Sequence, residues 1–265
     1  MNERIVIVGP GRMGLALGAA LWQSRELESL IFLGRSIEAP PHPIFDAQAD
    51  GAAAEYRMGI QPLPASTTVL ILAVPDRALG AVAYEMAQQG PAPGGCVALH
   101  LSGALSTDAL TPLHYAGYAV GSMHPLQSVA DPWTGADRLY GCAYALAGEP
   151  AAVTAARRLV HALAGRPIVI PGHLRPLYHA AAVFASNYLV AQIAGAVRIL
   201  QQAGVEEEDA LPAILPLVRG TLDNIEKLGV VHALTGPIVR GDVDTVRLHL
   251  AQLSDADRPL YCALG

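Results

Sequence analysis

The sequence predicts an α/β fold: a doubly wound parallel sheet followed by an all-α C-terminal domain. Three observations carry this. The aliphatic run Ile5-Val6-Ile7-Val8 leads straight into Gly9-Pro10-Gly11-Arg12-Met13-Gly14, and an Ala/Leu-rich helical pattern follows over 15–22. Short apolar runs then alternate with helical stretches up to Pro171, the pattern of a parallel sheet with crossover helices. Beyond Pro171 no strand signal remains, and long helical periodicities take over. The expected domains are therefore 1–171, dinucleotide-binding, and 172–265, helical.

The strand, glycine turn and helix stand in the order that gives G-x-G-x-x-G its meaning. Gly9 permits the tight turn, Gly11 lets the backbone approach a pyrophosphate, and Gly14 lets the helix pack close to the strand. The helix N-terminus offers free N–H groups and a positive dipole end. The competing reading is a tight turn with nothing bound. A second strand over 30–33 runs into Gly34-Arg35-Ser36. An NAD site would place Asp or Glu there for the ribose 2′-OH. Arg35 and Ser36 suit a 2′-phosphate instead, with Arg12 as a second positive charge, so NADP(H) is the expected cofactor. The competing reading of Arg35 is a solvated loop arginine.

Residues 39–64 are rich in Pro, Ala and Gly and are expected to hold a loop and a short strand. A buried strand over 68–74 stops at Pro75-Asp76, delivering Val74 and Pro75 to the carboxyl edge where ligands bind in such sheets. A helix over 77–89, a strand over 96–101 and a further apolar run at 118–123 follow. Strands over 139–147 and 167–170 flank a helix at 150–163. The C-terminal half reads as helices over 175–203, 206–228 and 242–253. Acidic residues 206–209 suit a solvated helix start, and Pro212 and Pro216 predict a kink or a delayed start.

Composition narrows the function classes. A net charge of −6 and only 5% aromatic residues argue against nucleic acid and acidic membranes as partners. Cys96, Cys142 and Cys262 lack metal or redox spacing and read as reduced thiols. The first apolar run is too short for a leader, so a soluble, cytoplasmic protein is expected. Residues 176–197 carry no formal charge; with His179, Ser186, Asn187 and Gln192 among them they read as a buried helix rather than a membrane span.

Three places offer chemistry beyond the nucleotide turn. Residues leaving the later strands are Ser102, His124 and Gln127, where a nicotinamide would lie across the strand edges. On the long helix, His179 and Ser186 are seven apart and share a face, with Asn187 about 80° round from His179. Each needs a partner, structural or ligand. In Leu234-Thr235-Gly236-Pro237-Ile238-Val239-Arg240-Gly241-Asp242, Asp242 is explained as a helix N-cap. Arg240 either binds a substrate carboxylate, with Thr235 beside it, or ties helices together. Lys227 more simply complements a helix C-terminus, and the remaining histidines have no motif around them.

Together the glycine turn, LSGALS, GSMHPLQS, LYHAAAVFASNYLV and LTGPIVRGD resemble the bacterial family that joins a Rossmann-like domain to the DUF2520 domain. The resemblance spans almost the whole chain, and the last two motifs are specific to that family. It implies an NADP oxidoreductase, similar in layout to pyrroline-5-carboxylate reductase, ketopantoate reductase and 6-phosphogluconate dehydrogenase, whose helical domain builds a homodimer. GSMHP also resembles a segment of prephenate dehydrogenases whose histidine contacts the substrate hydroxyl; that role would fall on His124. The lysine of ketopantoate reductases has no clear counterpart here. The resulting expectation is hydride transfer between NADP(H) and a small carbonyl, imine or hydroxyl substrate, a ketopantoate reductase-like reaction being one candidate. His124 comes first and His179 second as proton handler, Ser102 and Asn187 orient the substrate or the nicotinamide carboxamide, and Arg240, Thr235 and Gln127 bind the substrate. The rival readings are a non-catalytic NADP-binding regulatory protein and a scaffold with a vestigial site.

Overall fold

The computed structural model describes residues 3–46 and 53–264, so part of the 39–64 stretch lies outside the described residues. Eight strands form one sheet in the order β3-β2-β1-β4-β5-β6-β7-β8. They are β1 (Glu3–Val8), β2 (Leu27–Gly34), β3 (Glu55–Met58), β4 (Val69–Leu72), β5 (Val97–His100), β6 (Ala119–Pro125), β7 (Ala143–Gly148) and β8 (Arg166–Val169). The first six are mutually parallel, and the strand order reverses direction at β1 and β4, the switch point at which such sheets bind ligands.

The sheet is not parallel throughout, as the alternation of strands and helices predicts. β7 runs antiparallel to β6, and β8 runs parallel to β7. The reason is local. The connection between β6 and β7 holds only the short helix α4 (Pro132–Leu139), whose Gly135 packs against Ala16. β7 therefore starts beside the end of β6, the Leu126 N–H donating to the Ala143 carbonyl at 2.8 Å. Leu139, expected in a strand, closes α4 instead.

Side-chain alternation along the strands sorts the core onto two faces. Ile5, Ile7, Phe32, Ile71 and Leu99 join the buried faces of α1 (Arg12–Gln23) and α5 (Pro150–Ala162). Val6, Val8, Leu33, Leu70 and Leu72 join those of α2 (Asp76–Ala87) and α3 (Thr111–Tyr115). Burial of one such side chain stabilises by about 1.5–3 kcal/mol. Helix cover on both faces leaves the carboxyl ends of β1, β4, β5 and β6 as the open edge.

The chain divides into two compact units, 1–182 and 183–265; the division falls inside α6 (Arg175–Ala185), later than residue 171. The expected continuous helix over 175–203 is broken at Ser186, which has φ −121° and ψ −68°, and α7 (Asn187–Gln202) begins after it. The seven-residue register linking His179, Ser186 and Asn187 therefore does not run through one helix.

In the second unit α8 (Glu207–Ala233) accommodates Pro212 and Pro216 in its early turns and breaks its helical geometry at Gly229 (φ 77°). Asp242 caps α9 (Val243–Gln252) as expected, accepting from the Thr245 N–H at 3.1 Å. A final helix, α10 (Arg258–Leu264), had no sequence signal strong enough to stand out.

The expected burial of 176–197 is not met within the chain. The stretch Gly172–Gln202 is long and apolar enough to cross a membrane by length and composition alone, yet few of its residues are fully buried. Leu177, Phe184 and Val190 are each about two-thirds or more accessible. Sequence periodicity shows that a helix needs cover, and does not say whether its own chain provides it.

Candidate active site

The glycine turn has the stereochemistry the sequence asks for. Gly9 adopts φ +102°, and a Cβ there would lie 2.6 Å from the Ala73 carbonyl oxygen. The Gly9 N–H donates to Leu33 O at 2.9 Å, fastening the turn to the end of β2. A Cβ on Gly14 would collide with the Gly9 carbonyl, so the first turn of α1 sits directly on the loop. Around Gly11, by contrast, there is open space.

Gly11 is the N-cap of α1, with no side-chain cap and no acidic residue in the first turn. The helix thus presents free N–H groups and its positive end to whatever approaches Gly11. Arg12 is exposed at this point, Met13 packs on the core, and Val74 lies against Gly9. Pro75 caps α2 at the exit of β4. Arg35 and Ser36 follow β2, are both exposed, and the Arg35 guanidinium forms no ion pair among the described residues. This cradle fits a dinucleotide diphosphate with an additional phosphate near Arg35.

A second group of polar side chains gathers at the carboxyl ends of β5 and β6. His124, next to last in β6, has Nδ1 2.8 Å from the hydroxyl of Tyr178 on α6. The His124 and His179 rings meet edge to face with centroids 5.9 Å apart. Gly103, just after β5, fills the space between them: a Cβ there would lie 2.5 Å from His179 Nδ1 and 2.8 Å from His124 Nε2. Arg175, Tyr178 and His179 occupy positions i, i+3 and i+4 of α6, so one helix face supplies all three.

Arg175 is fully buried and holds the turn after β5. Its Nε donates to Leu105 O at 2.9 Å and its Nη2 donates to Ser102 O. The Ser102 hydroxyl is occupied in the same turn. It donates to Asp76 Oδ2 at 2.8 Å and accepts from the Ala104 and Leu105 N–H groups at 3.2 and 3.0 Å. Ser102 therefore shapes the loop that carries Gly103.

Electrostatics keep the imidazoles of His124 and His100 neutral. Burial pushes His124 down to about 4, helped by the nearby positive charge of Arg175 and by His179. His100, at the end of β5, is pushed down to about 4 by the same two main causes, burial first and Arg175 second. Its Nδ1 accepts from the Ser102 N–H at 3.1 Å, which places its proton on Nε2. Burial raises the Tyr178 phenol, with Arg175 opposing. At neutral pH a neutral imidazole faces a neutral phenol. Such a pair passes or accepts one proton without first holding a charge.

The structure thus brings His124, His179 and Ser102 together, as expected, and adds Arg175, Tyr178, His100 and Gly103. Tyr178 adjoins His179 in the LYHAAAVF segment, and His100 is a polar residue in an otherwise apolar strand; both signals were visible. Gln127 is engaged in its own loop, donating to Arg138 O at 3.3 Å and accepting from the Ser128 N–H at 2.9 Å. Asn187, Thr235 and Arg240 belong to the second unit. Asn187 opens α7, and Thr235 and Arg240 lie exposed in the segment between α8 and α9.

Comparison with known proteins places these features. Residues 2–125 match the Rossmann-like domain, and residues 142–265 match a domain of unknown function, DUF2520. A protein of Thermotoga maritima superposes with a TM-score of 0.73 at 25% identity, over 98% of this chain and 94% of that one. A presumed NADP oxidoreductase from Bacteroides fragilis gives 0.74 at 20% identity, over 99% and 96%. Pyrroline carboxylate reductase from Plasmodium falciparum, solved with NADP bound, gives 0.64 at 12% identity, over 95% and 93%. No curated protein sequence matches. The chain thus matches a Rossmann-like domain followed by DUF2520.

Proposed function

We propose that this protein is an NADP(H)-dependent oxidoreductase that moves hydride between the nicotinamide and a small carbonyl, imine or hydroxyl substrate. One observation carries the reading. The glycine turn after β1 and the His124–Tyr178 pair lie at the carboxyl ends of strands from one parallel set, within one compact unit. The fold's likeness to a reductase solved with NADP bound points the same way.

Gly9, Gly11 and the first turn of α1 would hold the diphosphate, and Arg12, Arg35 and Ser36 the 2′-phosphate. NADP(H) supplies or accepts the hydride when bound. His124 and Tyr178 hold the proton that must leave or reach the substrate oxygen or nitrogen. Arg175 fixes the Ser102–Leu105 turn and discourages charge on His124, and His179 packs beside it. Asn187, Thr235 and Arg240 remain candidates for substrate binding.

The reading includes a homodimer formed through the helical unit. Among its described residues the buried hydrophobic side chains are only Ala210, Ala233 and Leu253, whereas Leu217, Val230 and Val231 are 71–82% exposed. A helical unit with so little core of its own needs apolar cover from elsewhere, and a second copy supplies it symmetrically. It also includes a cytoplasmic setting, in keeping with the free thiols of Cys96, Cys142 and Cys262.

The test is a titration with NADPH and NADH, followed by a screen of small 2-oxo acids and cyclic imines for NADPH oxidation with His124→Ala as control. Tight NADPH binding with turnover that His124→Ala abolishes is the expected result. Binding with no turnover on any substrate would favour a cofactor-sensing protein, and no binding would leave only the fold.

A further inference from the structure

Tyr56 lies on β3, whose register against β2 sets Tyr56 opposite Phe32 and Met58 opposite Gly34. Its half-buried ring covers Gly34. A Cβ at Gly34 would stand 2.5 Å from the Tyr56 hydroxyl oxygen, 2.7 Å from its Cε2 and 2.9 Å from Cγ of Pro10 in the glycine turn. The Tyr56 hydroxyl donates to the Ser36 carbonyl at 2.6 Å. On the other side of Arg35, the Gly34 carbonyl accepts from the Gly59 N–H at 2.7 Å. The backbone is thus pinned on both flanks of Arg35, while the Arg35 guanidinium stays exposed and unpaired among the described residues. The neighbouring cation is not available in the same way: Arg57 is held by Glu55 through two bonds of 2.6 and 2.9 Å.

We propose that Tyr56 is the positioning residue for NADP(H) selectivity: by holding the Ser36 carbonyl it fixes the Arg35-Ser36 segment in the conformation that receives the 2′-phosphate. The inference rests on the NADP(H) reading above. A charge-assisted contact to a phosphate depends on geometry, and a loop already ordered loses less freedom on binding. The phenol points its hydroxyl at a backbone carbonyl, so its effect on the phosphate passes through the loop.

The experiment is calorimetric titration of NADPH and NADH into the wild type, Tyr56→Phe and Arg35→Ala. Tyr56→Phe keeps the ring and removes one hydrogen bond, and is expected to weaken NADPH about fivefold while leaving NADH within about twofold. Arg35→Ala is expected to reduce the preference for NADPH more than Tyr56→Phe does. Equal weakening of both by Tyr56→Phe, or an unchanged ratio, would overturn the role given to Tyr56 and leave the NADP(H) reading standing. A wild type that binds both nucleotides equally would overturn that reading and the role of Tyr56 with it, whereas an Arg35→Ala protein that prefers NADPH as strongly as the wild type would overturn the role of Tyr56 alone.

Discussion

The hydroxyl of Tyr178 and Nδ1 of His124 stand 2.8 Å apart, joining a helix of late sequence to the sixth strand of the sheet. Neither group is charged at neutral pH, since burial lowers the imidazole to about 4 and raises the phenol. Proton exchange with a substrate at this position would run through the pair as a unit. Once a substrate is found, Tyr178→Phe and His124→Ala should each lower kcat by about 100-fold, in line with the usual worth of a positioned proton donor or acceptor. NADPH affinity should stay unchanged. The double variant should be little worse than either single one. Additive losses would show two separate roles.

The same low imidazole values make a statement about acid stability. His100 and His124 both sit at about 4 in the folded chain, against an ordinary 6.5. Between those limits the unfolded chain binds protons that the folded chain does not, so stability rises with pH and falls as the solution is acidified from 6.5 toward 4. Denaturant unfolding measured across that range should show uptake of close to two protons. His124→Asn should flatten the slope by about half. The carboxylates of Asp131, Asp242 and Asp257 are held below their usual range by hydrogen bonds, so their loss falls at lower pH and does not mask this window.

Gly103 lies against two rings at once, and Gly103→Ala would force a methyl group within 2.5 Å of one and 2.8 Å of the other. Overpacking of this kind costs about 1–3 kcal/mol. A fall in the unfolding midpoint with displaced imidazole resonances of both His124 and His179 is the expected result, read by calorimetry and by NMR of the ring protons.

Two glycines of the opening turn should separate folding from binding. Gly11 faces open space and Gly14 does not. Gly11→Ala should fold nearly as well as the wild type and lose NADPH affinity, because its methyl group projects into the approach path. Gly14→Ala should lose both, since its Cβ meets the Gly9 carbonyl. Circular dichroism melting and nucleotide titration on the pair would check this.

Val231 follows the irregular Gly229 of α8 and is 82% exposed. Sedimentation at micromolar concentration should find the wild type dimeric and Val231→Asp shifted toward monomer, since a buried unpaired carboxylate is disfavoured at an apolar interface. A monomeric wild type would remove the homodimer from the proposal.

The nucleotide half of the site was legible because its requirements are local. Gly9, Gly11 and Gly14 act within one turn, and Arg35 follows the strand whose end they abut. The proton-handling half was legible only in part. His124 and Ser102 could be placed by their exit from strands, but their partners Tyr178 and Arg175 come from more than 50 residues later in the chain, and spacing carries no information over that distance. The break at Ser186 leaves no mark in the pattern, since apolar residues on both sides continue the helical period. The reversal of β7 was hidden for a comparable reason: a strand's apolar run reads the same in either direction.

That reversal has a consequence for dividing the protein. The Rossmann-like match stops at Pro125, the end of β6, and the DUF2520 match begins at Cys142, just before β7. The sheet is consequently stitched together from both segments. A fragment cut between them would leave β6 paired with β5 alone and stripped of its β7 ladder, and an apolar strand with a bare flank recruits other chains. The conventional border between the two named domains is a seam inside one hydrogen-bonded layer, and expression of either piece alone is expected to give aggregates.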